Sequence, residues 1–193
     1  MKAIEHLKTI NAHRRLVRKG CFRVGLYYQG LTHDLSKYSP SEFIVGAKYY
    51  QGFRSPNNAE REAVGYSSAW LHHKGRNRHH FEFWIDYSHI PGKEVYGNKM
   101  PMRYLAEMVC DRRAACIAYN EKDYRPAMAW EHYCRTKDFS VMHPDTRLVL
   151  EKCLCLMRDE GEESCFAYLR ELLKKTKGRD YTAEMLGIPD DMH

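Results

Sequence analysis

The chain has 193 residues, 44% of them hydrophobic and 29% charged, enough to bury a full core in one domain and too few to require two. Its mean hydropathy of -0.67, with no run approaching the ~18 apolar residues a membrane helix needs, excludes a bilayer-spanning segment. An excess of 31 basic over 25 acidic residues leaves +6, which suits a phosphate-bearing ligand and is too small to establish nucleic acid as a partner.

The apolar spacing is helical almost throughout, with no alternating strand pattern and no repeat or linker, so an all-α single domain over residues 1–193 is expected. A first helix over residues 3–19 places Ile4, Leu7, Ile10 and Val17 on one stripe with His6 and His13 on or beside it, and Gly20 reads as its stop. A second helix over 22–32 brings His33-Asp34 to a helix end, and Ser39-Pro40-Ser41-Glu42 reads as a capping box opening the next. Beyond the breakers of 51–57, a helix from about 58 to Gly75 puts Tyr66, Trp70 and His73 on one face and Ala69 and His72 on its neighbour. The stretch 88–99, with Pro91, Gly92 and Gly97, reads as a surface loop. A long helix over 101–120 aligns Tyr104, Met108, Asp111, Ala115 and Ala118, so Asp111 is a carboxylate expected to face inward, where an unpaired charge costs several kcal/mol. Three more helices, over 125–136, 144–159 and 162–177, complete the chain.

Seven cysteines without a close CxxC pair read as reduced core thiols of a cytoplasmic protein, and the N-terminus lacks the apolar core of a secretory signal. The informative residue is histidine. Of the 11 in the chain, His72, His73, His79 and His80 fall within nine positions, where even spacing would place about half of one.

In order, the candidate ligands are His13, His33-Asp34, the 72–80 cluster and Asp111. Imidazole nitrogens and carboxylate oxygens suit Mn, Fe, Co, Ni or Zn, and an adjacent His-Asp pair can give its nitrogen to one ion while its carboxylate reaches a second. His72 and His73 leave a helix about 100° apart, so one of them ligates and the other supports it; His72 is preferred. Between His79 and His80 the residues alone do not choose. Two ions ~3.5–4 Å apart would hold a hydroxide that is nucleophilic at neutral pH and stabilise both oxygens of an in-line displacement at phosphorus.

This order resembles the HD-domain superfamily of metal-dependent phosphohydrolases, all-helical bundles whose metal site comprises a His, a His-Asp doublet and a distant Asp, here His13, His33-Asp34 and Asp111. The segment His33-Asp34-Leu35-Ser36-Lys37 is similar to the HD-x-x-K segment of the HD-GYP branch, which implies phosphate contact for Lys37 and second-metal ligation by the paired histidines. Gly75-Arg76-Asn77-Arg78 departs from that branch's Gly-Tyr-Pro loop, so cyclic-dinucleotide hydrolysis is not implied. The resemblance covers residues 3–120, an HD-like core, with 121–193 as a helical extension. It implies one or two divalent transition-metal ions on His13, His33, Asp34, His72, His79, His80 and Asp111. Asp34 and Lys37 would be catalytic, with Lys37, Arg76 and Arg78 binding a small phosphorylated substrate such as a nucleotide. Two rival classes remain open: a di-iron HD-type oxygenase, and a non-catalytic helical module binding nucleic acid.

Overall fold

The computed structural model describes residues 1–89 and 91–189. In order, α1 (Lys2–Arg23), α2 (Tyr27–Thr32), α3 (Pro40–Tyr49), α4 (Pro56–Val64) and α5 (Ser68–Lys74) lead into a short hairpin, β1 (Ile85–Tyr87) and β2 (Val95–Gly97). The helices α6 (Met102–Asn120), α7 (Met128–Cys134), α8 (Pro144–Asp159) and α9 (Glu162–Lys175) follow. The mostly helical expectation holds, with the hairpin as its exception. Among the described residues no helix is long and apolar enough to cross a membrane.

Helix α6 is the axis. It buries Met102, Leu105, Ala106, Met108, Val109, Cys110 and Ala114, more of its circumference than a surface helix would, because α1 lies on one side and α7, α8 and α9 on the other. Val17 and Cys21 of α1, Val149, Leu150, Leu154 and Met157 of α8 and Phe166, Leu169 and Leu172 of α9 complete one continuous core. Each fully buried Leu or Phe in it contributes about 1.5–3 kcal/mol. The expected division near residue 120 therefore leaves no seam in the packing. Arg113 of α6 pairs with Glu162 at the start of α9 at 2.7 Å, and Tyr124 Oη donates to the same glutamate at 2.7 Å, fastening the C-terminal helices to the axis.

Four local expectations are corrected. Gly20 does not end α1, which runs on to Arg23; it allows close approach to α6, since a Cβ there would sit 3.2 Å from Cys110 Sγ. The chain turns instead at Gly25, whose φ of +82° favours glycine. The helix expected across 58–75 is two helices, broken at Gly65 (φ +85°), and Ser67 caps α5 by accepting from the Trp70 amide at 3.0 Å. The expected surface loop carries a strand, β2, which pairs with β1 just before it, Ile85 opposite Gly97 and Tyr87 opposite Val95. Strands of three residues are too short to display alternation, and Ile90, between them, lies outside the described residues. Finally, Ser39 makes no side-chain capping bond, and the side chain of Glu42, the expected reciprocal partner, is buried against His72 and His73 instead.

Candidate metal centre

Asp34 is the hinge of the site. It follows the last turn of α2, and it is the one non-glycine among the described residues with positive φ (53°). That left-handed backbone costs an ordinary residue roughly 1 kcal/mol or more and persists only where the surroundings enforce it. They do so here: Arg14 donates to the carbonyls of Leu31 (3.0 Å) and His33 (2.7 Å), holding the end of α2 against α1. The Asp34 side chain is 1% exposed.

Its two oxygens face two groups of donors. Oδ2 lies 3.4 Å from His33 Nε2, 3.9 Å from His13 Nε2 and 2.8 Å from Lys37 Nζ. Oδ1 lies 3.2 Å from His73 Nε2 and 3.4 Å from His79 Nε2. Asp111, projected from α6, comes within 2.9 Å of His13 Nε2 and 3.6 Å of His33 Nε2 through Oδ1, and its Oδ2 is 3.9 Å from His79 Nε2. His80 packs on His79 at 4.1 Å between ring centroids. Two ligand sets that could hold a metal ion result, His13–His33–Asp34 and Asp34–His73–His79–His80, with Asp34 common to both.

A test of fit is whether these atoms satisfy one another. They do not: Nε2 of His13, His33, His79 and His80 and Oδ1 of Asp34 are all buried without a properly formed hydrogen bond. Each such buried polar atom costs about 1–3 kcal/mol, and five of them converging leave a site that could accept a cation. The opposite ring nitrogens, by contrast, are engaged. Glu107 Oε1 accepts from His33 Nδ1 (2.8 Å) and lies 3.2 Å from His79 Nδ1. Glu42 accepts from His73 Nδ1 and His72 Nδ1, each at 2.7 Å. Such bonds hold a proton on Nδ1 and turn Nε2 toward the centre. A third grouping, His33–His79–Glu107, meets through these Nδ1 contacts and reads as the support of the two sets.

The electrostatics follow from this crowding. Burial would raise the Asp34 carboxyl, but the charges of His33, Lys37 and His73 outweigh it and hold the group well below the usual carboxylate range. Burial is likewise overcome at Asp111, held low by the close approach of the His13 and His33 imidazoles. His33 is raised well above its ordinary value despite burial, chiefly by the Asp34 charge, whereas burial dominates at His13 and His80 and lowers both. The centre thus offers ionised carboxylates among imidazoles, the donor set that borderline transition metals prefer.

Of the expected ligands, His13, His33, Asp34, His79, His80 and Asp111 converge. His72 does not: it is half-buried, on the outer side of Glu42, and His73 takes the inner position. The reason is helical phase, because the face that Trp70 and His73 share packs inward once α5 is a separate, shorter helix. Arg76 and Arg78, expected beside the substrate, do not line the cavity at the centre. They lie on the far side of His33 and His79, outside the cavity that opens onto the centre, and the guanidiniums that line this cavity are those of Arg61 and Arg112. Glu42 and Glu107 were the residues the sequence undervalued. Glu107 stands one turn before Asp111 on the same inward stripe, a signal that could have found it.

The cavity, of about 630 Å³, runs from the centre outward between α1, α3, α4 and α6. Lys37, Arg61, Arg112 and Glu82 bring charge to its wall, Trp70, Phe81 and Tyr119 bring apolar surface. Arg112 Nε is buried without a partner, and burial holds the Glu82 carboxyl above its usual range.

Fold and site together define a mostly helical protein with a buried His/Asp/Glu cluster able to hold metal. The chain belongs to the family described as "Family of unknown function (DUF5662)", which it matches over residues 2–156, a span that contains the whole candidate centre. No curated protein and no solved structure matches it.

Proposed function

We propose that the protein is a metal-dependent phosphohydrolase with an HD-type bundle, cleaving a phosphomonoester or phosphodiester of a small molecule such as a nucleotide. The observation that carries this reading is the set of five unpartnered donor atoms around a shared Asp34, with the imidazoles of His33, His73 and His79 held from behind by Glu107 and Glu42. The first ion would be held by His13, His33, Asp34 and Asp111, the second by Asp34, His73, His79 and His80. When bound, two such cations supply Lewis acidity and an activated water.

The rest falls to the chain. Lys37 and Arg112 place positive charge beside the centre for non-bridging phosphoryl oxygens, the arginine able to bind two at once. Glu82, kept protonated further up the pH scale by burial, is placed in the cavity wall to give a proton to a departing oxygen. Trp70, Phe81 and Tyr119 narrow the access of water and strengthen these electrostatic contacts.

Elemental analysis of protein purified without added metal should find a divalent transition metal. Hydrolysis of bis-(p-nitrophenyl) phosphate should depend on that metal and disappear in Asp34→Ala with the helical circular dichroism retained. Bound metal with no turnover across a broad phosphoester panel would remove the hydrolase and leave the centre. Oxygen-dependent substrate oxidation without phosphate release would replace it with the oxygenase.

A further inference from the structure

Arg76 and Arg78, excluded from the main cavity, line a second one. Behind the metal-facing histidines lies a cleft of about 440 Å³, the size of a small-ligand pocket. Its floor is Glu107 with His33 and His79; its walls bring in Arg103, from the first turn of α6, and Asn77 and Tyr28. Three guanidiniums from two separate segments thus converge on one concavity.

None of the three has a carboxylate partner among the described residues. Arg78 donates to Tyr104 Oη at 3.2 Å, and both it and Arg103 stand over the Tyr104 ring, at 5.8 Å and 4.8 Å from its centroid. Two like charges therefore flank one aromatic ring. Glu107 is the one acid in the cleft's lining, and its carboxylate is already engaged by two imidazoles. By contrast, Arg23 and Arg113 meet Glu162, and Lys99 meets Asp145. A concave surface carrying one sign of charge focuses its field on an ion of the other sign, and exposed arginines can each grip a phosphoryl group through two parallel hydrogen bonds.

We propose that this cleft is a binding site, separate from the metal centre, for a small molecule carrying two or more phosphoryl groups. Three forked cations exceed what a single phosphate can engage bidentately, and a volume of about 440 Å³ suits a small ligand. Ser36 and Asn77 supply neutral hydrogen-bonding groups at the margin. The site does not require the hydrolase reading, since nothing in it reacts.

The test is calorimetric titration of methylenediphosphonate, whose P–C–P bridge resists hydrolysis, into the full-length protein as purified, at low salt. Binding should be saturable, and Arg76→Ala/Arg103→Ala, which removes two of the three guanidiniums at exposed positions, should weaken it at least tenfold while circular dichroism shows the helical fold retained. Lys37→Ala, in the main cavity, should change it less than twofold. Titration with ADP separates a nucleotide from a bare diphosphate as the source of the group, and either ligand supports the site if the arginine variant loses it. Undetectable binding of both, indifference to the arginine variant, or loss in Lys37→Ala instead would overturn the proposal.

Discussion

Glu107 offers the sharpest test of how the centre is built. Its carboxylate is buried, and a single oxygen serves His33 Nδ1 at 2.8 Å and His79 Nδ1 at 3.2 Å, one histidine from each ligand set. Glu107→Ala strands two buried ring donors, each worth about 1–3 kcal/mol, so the fold should lose about 2–6 kcal/mol, much of what a domain typically has. It also frees both rings to carry their proton on Nε2, the atom needed for coordination. Loss of one outer carboxylate ordinarily costs 10–100-fold in metal affinity, about 1.4–2.8 kcal/mol at 1.4 per decade. Glu107→Gln retains an acceptor at the same place and removes the charge, so it should keep most of the stability and lose roughly tenfold in affinity. Competition of Mn²⁺ or Zn²⁺ against a chromophoric chelator, paired with urea unfolding, reads both quantities. Glu162→Gln, which loosens α9 far from the centre, is the control: stability should fall and affinity should hold. If Glu107→Ala binds metal as tightly as the parent, the supporting role of this carboxylate is wrong.

His73→Ala should weaken metal binding much more than His72→Ala, since only His73 reaches Asp34; equal losses in the same titration would contradict the placement of α5. Gly46→Ala should destabilise by about 1–3 kcal/mol in thermal or urea unfolding, because its new Cβ would run into the His6 ring packed against α3. Acid unfolding should depend on Glu162. Burial pushes its carboxyl up, but hydrogen bonds from Arg113 and Tyr124 outweigh this and hold it below its ordinary 4.5. A group lowered on folding stabilises above its unfolded value and loses that contribution as pH falls through the folded one. Glu162→Gln should therefore flatten the loss of stability below about pH 4.5, and an unchanged acid limb would rule this out.

Much of this was visible in the chain itself, for reasons that differ by residue. Asp111 could be placed because one long helix fixes the phase of its apolar stripe, and a charge on that stripe demands a partner. His13 was legible in the same way on α1. The His72/His73 choice turned on a break that local pattern conceals: Gly65 and the Ser67 cap restart the helix, and seven residues hold too little periodicity to set which face packs. Glu42 stood where a capping box would use it, and its capture by two imidazoles is a tertiary event without local trace. The arginines at 76 and 78 lie only a few residues from His79, yet on the reverse side of its ring. Sequence proximity says nothing about which nitrogen of an imidazole a neighbour will meet.

Because Asp34 turns one oxygen to each ligand set, two ions held there as proposed would not behave as strangers. Charge drawn from the carboxylate by the first ion would leave less for the next, and that electron-poor bridge would also relax its hold on Lys37. Titrations should accordingly resolve unequal steps, with the ammonium group released toward solvent or an incoming anion as loading proceeds.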